Sequence, residues 1–276
     1  MNKLRDLQLA EVEILKAVTE LCDQLGLRYF LNSGTLLGAV RHRGFIPWDD
    51  DIDLAMPFHD YAEFLKSAQK MLGDRYFVQN MSTESNFHFS FTRIRLNGTT
   101  YMNSYHCHWD VHQGVWIDIF PLIPIGGKLD FKFKRGIISL CNYIQMDNFI
   151  DSHLDEFTER LGKAGMFFIQ LFFRIPLEKR VRLHERLIYR LGSTGEKPYL
   201  SVLWGSITRM YPKEMFAKTK EVEFEHGLYS APWKTEEYLT QTYGDYMKLP
   251  PENERHGHGK NMILDLQNDY HRYLQV

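Results

Sequence analysis

The sequence predicts an α/β protein, α/β in its first part and mostly helical in its C-terminal part. Three observations predict it. Short β-prone runs alternate with helical periods up to about residue 125, one of those runs carries Asp-Ile-Asp, and long apolar helical stretches dominate beyond it.

Over residues 4–25 apolar side chains recur at helical spacing (Leu4, Leu7, Ile14, Leu15, Val18, Leu21, Cys22, Leu25), and Gly26 stands where a helix ends. Residues 28–31 read as a short strand, Asn32-Ser33-Gly34 as a turn, and 35–43 as a helix that opens on capping residue types. Pro47 and Trp48 close that unit. Residues 51–56 read as a second strand, Pro57 suits the first turn of a helix, and 61–72 continue that helix. Residues 87–96 and 114–120 are further strands. Past Pro121 the pattern changes to helical stretches over 131–149, 153–173 and 178–191, with little strand signal after them and an aromatic-rich tail over 233–273. A domain transition is therefore placed near residue 125.

With 276 residues, 44% hydrophobic and 25% charged, the chain has enough apolar material for a core, which excludes disordered and fibrous classes. A formal net charge of -2 leaves no basic field to hold nucleic acid. Cys22, Cys107 and Cys141 are odd in number and lack ligand spacing, which fits reduced thiols in the cytoplasm. Acidic residues interrupt the N-terminal apolar positions, so residues 1–15 read as an amphipathic helix and not a signal peptide.

Chemistry concentrates in residues 33–56, SGTLLGAVRHRGFIPWDDDIDLAM. Side chains two apart on a strand share a face, so Asp51 and Asp53 are expected to project together with Ile52 and Leu54 behind them. Two adjacent carboxylates repel, a divalent cation relieves the repulsion, and an all-oxygen set favours Mg²⁺ or Mn²⁺. Asp49 and Asp50 fit a solvated turn, whereas Asp53, between two apolar residues, does not. Gly34 at a strand-to-helix junction allows close approach of a phosphate to free amides, although a plain helix cap gives the same pattern. In residues 114–120, GVWIDIF, a lone Asp118 lies in an apolar run and needs a cation, Arg93 or Arg95, or backbone amides as its partner.

These segments, with the tail YGDYMKLPPENERHGH, resemble the LicD family, which includes bacterial phosphocholine transferases and the related domain of fukutin-related protein. The resemblance is strongest over residues 26–125 and again over 233–258. It implies a nucleotidyltransferase fold, a small mixed β-sheet flanked by helices, together with a CDP-activated donor such as CDP-choline and Mg²⁺-dependent transfer of a phospho-alcohol to a glycan hydroxyl, on a cell-surface glycan or a teichoic acid precursor. Ser33 and Gly34 match the family's phosphate turn, Asp51 and Asp53 its paired metal carboxylates, and Asp118 its third acidic position.

On this reading residues 1–125 form the catalytic core, and residues 126–276 shape the acceptor side and cover the site. Asp118 orients or deprotonates the acceptor hydroxyl, or simply binds metal. Arg41, His42 and Arg43 are positioned to reach donor phosphates, with a solvated helix end as the competing account. Trp48 stacks on a base or packs, and Arg255, His256 and His258 lie on a stiff segment after Pro250-Pro251 that can be held over a cleft. The apolar run 167–173 is too short to span a bilayer, so contact with a lipid-linked glycan acceptor would be peripheral, at the inner face of the membrane. Two other functions share this pattern: addition of a nucleotide to a small molecule or protein, and an inactive binding relative of the fold.

Overall fold

The computed structural model describes residues 3–87, 89–103, 111–145, 174–203, 209–257 and 262–274. Helix α1 (Lys3–Leu25) buries Leu7, Val12, Ile14, Leu15, Val18, Leu21 and Cys22 on one face, as the periodicity predicts. Strand β1 (Phe30–Leu31) and helix α2 (Ser33–His42) follow, then β2 (Asp53–Pro57) and α3 (Phe58–Leu72). Strands β3 (Tyr76–Gln79), β4 (Thr92–Leu96), β5 (Thr100–Asn103) and β6 (Trp116–Ile125) complete the first part.

The central sheet has the order β1-β2-β6-β4-β3. It is mixed: β2 and β6 run parallel, and the β1-β2, β6-β4 and β4-β3 pairs are antiparallel. A parallel pair needs a crossover. Here α3, β3, β4 and β5 all lie between β2 and β6 in sequence, so β6 is inserted at the centre of the sheet, next to β2. Central position explains its near-continuous burial and its Ile-rich sequence.

Several sequence expectations need correction. The strand expected over 87–96 begins only at Thr92, because Phe87, Phe89 and Phe91 pack as a ring cluster and do not join the ladder. Strand β3 was not foreseen. The expected strand over 114–120 runs on through Pro121 and Pro124 to Ile125, and its far end pairs with β7 (Tyr199–Ser201), which pairs in turn with β8 (Tyr211–Pro212).

Residues beyond 125 also carry more strand than their sequence suggested. Helices α4 (Lys128–Gln145), α5 (Leu177–Gly192) and α6 (Thr235–Tyr243) are joined there by β7, β8, a hairpin of β9 (Thr219–Phe224) with β10 (Gly227–Pro232), and β11 (Met262–Asp265), which pairs with β5. Helix α4 starts three residues before the expected 131, and residues 146–173, including the apolar run 167–173, lie outside the described residues. No helix among the described residues is long and apolar enough to cross a membrane. The hairpin turn is Glu225-His226, both at positive φ (48° and 64°), the backbone of a two-residue type I′ loop without its usual Asn-Gly. That is why its sequence gave no turn signal. Glu225 earns its place by accepting from Arg5 Nη2 at 2.6 Å and from the Phe45 amide at 3.2 Å, which ties the hairpin to α1 and to the loop after α2. One apolar core holds α1, β1, β2, β6, β10 and α6 together, so Tyr229, Ala231, Tyr238 and Leu239 bury against the same cluster as Leu15 and Leu54.

Candidate active site

Registers in the sheet place the acidic residues. Asp53 on β2 is the direct partner of Asp118 on β6, and Arg93 on β4 is the partner of Asp118 on its other side. Facing residues of neighbouring strands project to one side, so Asp53, Asp118 and Arg93 form a row across three strands. Arg93 Nε donates to Asp118 Oδ1 at 2.8 Å and Nη2 donates to Oδ2 at 3.4 Å. Its guanidinium carbon lies 4.7 Å from the ring centre of Trp116 and 5.1, 5.6 and 5.8 Å from those of Phe89, Phe91 and Phe87. Aromatic faces on several sides fix the guanidinium and, through it, the carboxylate.

Asp53 is anchored by its backbone. Its amide donates to Thr35 Oγ1 at 2.8 Å, and its carbonyl accepts from the Asn32 amide at 3.0 Å. Burial, then the charges of Asp51, Asp118 and Asp49, push its carboxyl well above the usual range, against a smaller pull from Arg93. Asp51 is not on the strand, as the sequence had suggested: β2 begins at Asp53 because β1 is only two residues long and pairs no further back than Leu54. Asp51 reaches the site from the loop instead, and its charge is the strongest of those acting on Asp53. Thr35→Val keeps the side-chain volume and strands the Asp53 amide. A loss of about 1–3 kcal/mol in urea unfolding is expected, and an unchanged midpoint would show that this amide has another partner.

At the start of α2, Ser33 takes a positive φ of 45°, and its amide reaches Tyr238 Oη at 3.4 Å. Tyr238 also donates to Asn32 Oδ1 at 2.6 Å, so α6 holds the turn in place. A β-carbon on Gly34 would stand 2.9 Å from Asp49 Oδ2, so glycine here admits the Asp49 carboxylate to the positive end of α2. Neither Asp49 nor Asp50 is the solvated residue that the sequence suggested. Asp50 is 5% exposed and accepts from Tyr101 Oη at 2.7 Å, because the tail folds back over this loop. Arg255 lies over Trp48 at 5.6 Å, and at Gly257 a β-carbon would meet the Trp48 carbonyl at 2.6 Å and Asp50 Oδ1 at 2.7 Å.

The basic triplet divides. Arg41 donates to His42 Nε2 at 2.9 Å and to the Tyr246 carbonyl at 3.0 Å, and the charges of Tyr243 and Asp49 act on it, which places it beside the acidic loop. Burial lowers both Arg41 and His42 from their ordinary values. Arg43 instead caps the C-terminus of α2 in the left-handed region and turns to Glu223 at 3.9 Å on the surface. His256 is exposed, and His258 lies outside the described residues. Burial, and then the charges of Asp53, Asp49 and Asp51, push up the phenol of Tyr243 at the end of α6.

One participant was missed. Glu11 of α1 is fully buried, and its carboxyl is pushed well above the usual range by burial and then by Asp51, Asp50, Asp49 and Asp118. A signal existed: position 11 falls on the helical stripe of Leu7, Ile14, Leu15 and Val18, where an apolar residue is expected.

A divalent cation fits the donor chemistry. After burial, the charges of Asp51 and Asp118 push the Asp53 carboxyl up while Arg93 pulls the other way, and all the donors are hard oxygens. Among the described residues no three acidic, His or Cys side chains are close enough to hold an ion as they stand.

Residues 26–154 match the family model described as LicD/FKTN/FKRP, nucleotidyltransferase domain. Over that span the chain is similar to the LicD family. The matched span takes in the whole row of Asp53, Asp118 and Arg93 together with the Ser33-Gly34 turn. Over 92% of its length the chain is 29% identical to the lipopolysaccharide cholinephosphotransferase LicD of Haemophilus influenzae, 95% of which is covered. It is also 32% identical over 121 residues to the human ribitol 5-phosphate transferase FKRP, where it covers 42% of the present chain and 21% of the human one. The mixed sheet flanked by helices is the fold expected of such a LicD-family domain.

Proposed function

We propose that this protein transfers phosphocholine from CDP-choline to a hydroxyl of a cell-surface glycan, or of its lipid-linked or teichoic acid precursor, in a Mg²⁺- or Mn²⁺-dependent reaction. The observation that carries this reading is similarity along nearly the whole length of a lipopolysaccharide cholinephosphotransferase, with Asp53 and Asp118 side by side inside the matched domain. Both characterised relatives are named as transferases of a phosphorylated alcohol, which supports the reaction class independently of the alcohol.

In this reaction an acceptor oxygen bonds to the phosphorus that carries choline, the bond from that phosphorus to CMP breaks, and the hydroxyl proton passes to a base. The cation, when bound, neutralises phosphate charge. Asp51 and Asp53 would hold it, Asp53 being fixed through Thr35 and Asn32. Asp118, aligned by two bonds from Arg93, orients the acceptor hydroxyl and takes its proton. Arg41, next to Asp49 and Tyr243, faces the donor phosphates. Trp48 and Arg255, stacked on each other, close the donor side from above the loop. Positioning and charge neutralisation supply most of the acceleration for such a transfer. On this reading the protein works at the cytoplasmic face of the membrane, with at most peripheral contact.

The test is a thermal-shift and calorimetric screen of CDP-choline, CDP-ribitol, CDP-glycerol, CTP and ATP with Mg²⁺, followed by release of CMP in the presence of glycan acceptor. CDP-choline should raise the melting temperature most, and EDTA should abolish the gain. A larger shift with CDP-ribitol would change the alcohol while keeping the reaction. No shift with any nucleotide would overturn the function.

A further inference from the structure

We propose that Glu11 is a further carboxylate ligand of the cation site, contributed by α1; this rests on the metal dependence argued above. Glu11 is 0% exposed, and neither of its carboxyl oxygens has a hydrogen-bond donor. Other acidic side chains that serve the fold do not look like this. Glu84 accepts from Gln79 Nε2 at 2.6 Å and from the His112 amide at 2.8 Å, and Glu225 accepts from Arg5 and the Phe45 amide. A carboxyl buried without such partners is costly, and a leucine at this point would extend the apolar stripe of α1 at no such cost.

Its surroundings identify what it faces. Helix α1 docks on the acidic loop, where Gln8 Nε2, one turn before Glu11, donates to the Asp49 carbonyl at 2.9 Å. The charges that act on Glu11 are those of Asp51, Asp50, Asp49 and Asp118, and no positive group is among them. Asp50 is already held by Tyr101, and Asp118 by Arg93. Glu11 therefore brings an unpartnered pair of oxygens to the side of α1 that docks on the acidic loop, and a divalent cation drawn in by these carboxylates is the ligand that would satisfy them. The loop 49–53 is gripped from two sides, by α1 through Gln8 and by α2 through Thr35.

The full chain is tested with Mn²⁺ alone as the probe, without nucleotide. Mn²⁺ affinity is read from the paramagnetic signal of the free ion, and metal-free stability from urea unfolding, for wild type, Glu11→Gln, Glu11→Leu and Asp53→Asn. Both Glu11 variants should lose about tenfold or more in Mn²⁺ affinity, as removal of a ligand or of its close support does elsewhere. Their metal-free unfolding midpoints should equal or exceed that of wild type, because a buried carboxyl without a partner has been removed. Wild-type Mn²⁺ affinity in both variants, with Asp53→Asn impaired, would overturn the Glu11 assignment alone. So would a clear fall in metal-free stability for Glu11→Gln, which would make the residue structural. Absence of Mn²⁺ binding by the wild type would overturn the metal requirement of the proposed function, and the role of Glu11 with it.

Discussion

Asp51→Asn and Asp53→Asn should each lower phospho-alcohol transfer by about two orders of magnitude or more while leaving the metal-free fold intact. Asparagine keeps the volume and removes one charge from a cluster in which Asp51, Asp53, Asp118 and Asp49 repel. If those charges serve a cation, the metal-free protein carries their repulsion as a cost, and stability without metal should hold or rise in both variants. Mg²⁺-dependent stabilisation by CDP-choline should vanish in the same two proteins. The pH dependence has a definite sign. Asp53 is held above its unfolded value, so the metal-free native state binds its proton more tightly than the unfolded chain does. That contribution is complete below the ordinary carboxylate range and disappears as pH rises through the raised value. Mg²⁺ competes with this proton, so its affinity should rise over the same interval in wild type and lose most of that dependence in Asp53→Asn. Marked metal-free destabilisation of both variants, with Mg²⁺-dependent donor binding unchanged, would refute the assignment.

How much of this was legible in the sequence follows from the range of each interaction. The opening helix was legible because its apolar stripe is a local, periodic signal, and the DxD segment because carboxylates between apolar residues are unusual in any fold. Placing β6 beside β2 was not legible. Nothing local says that residues 116–125 insert between strands that formed earlier, and that insertion alone makes Asp118 the neighbour of Asp53. The C-terminal strands were missed for a related reason. Strand β9 alternates Lys220, Val222 and Phe224 with Glu221 and Glu223 before a turn of Glu-His, and the hairpin is tied down by Glu225 reaching Arg5 and Phe45 on distant elements. Glu11 was visible as an acidic residue on an apolar face, but only the docking of α1 on the 49–51 loop gives that anomaly a meaning. The tail over 243–257 was legible as stiff and aromatic, and the structure adds that it folds onto Trp48 and Asp50.

The second large effect is expected at Arg93, where folding and catalysis can be separated by a mutant cycle. The side chains of Arg93 and Asp118 are 18% and 10% exposed, so their pair lies between a surface bridge, worth little, and a fully buried one. Arg93→Met leaves Asp118 beside Asp53 and Asp51 without its ion-pair partner, and should cost about 3 kcal/mol in urea unfolding. Asp118→Asn leaves the guanidinium among Phe87, Phe89, Phe91 and Trp116, whose faces still satisfy part of its charge, and should cost less. The double variant should then be more stable than the sum of the two losses requires, with a coupling of about 1–3 kcal/mol. Arg93→Lys keeps the charge but gives up the fork on both oxygens and the flat face over Trp116, so transfer should fall further than stability does. Mg²⁺ offers a second check, because an added cation near Asp53 compensates part of the charge that Arg93 normally meets. It should therefore stabilise Arg93→Met by more than it stabilises wild type. A coupling of zero, together with equal Mg²⁺ effects in the two proteins, would mean that Arg93 and Asp118 act independently. Asp118 would then have to be oriented by something other than the aromatic-bound arginine, and its place as the group that meets the acceptor hydroxyl would lose its structural basis.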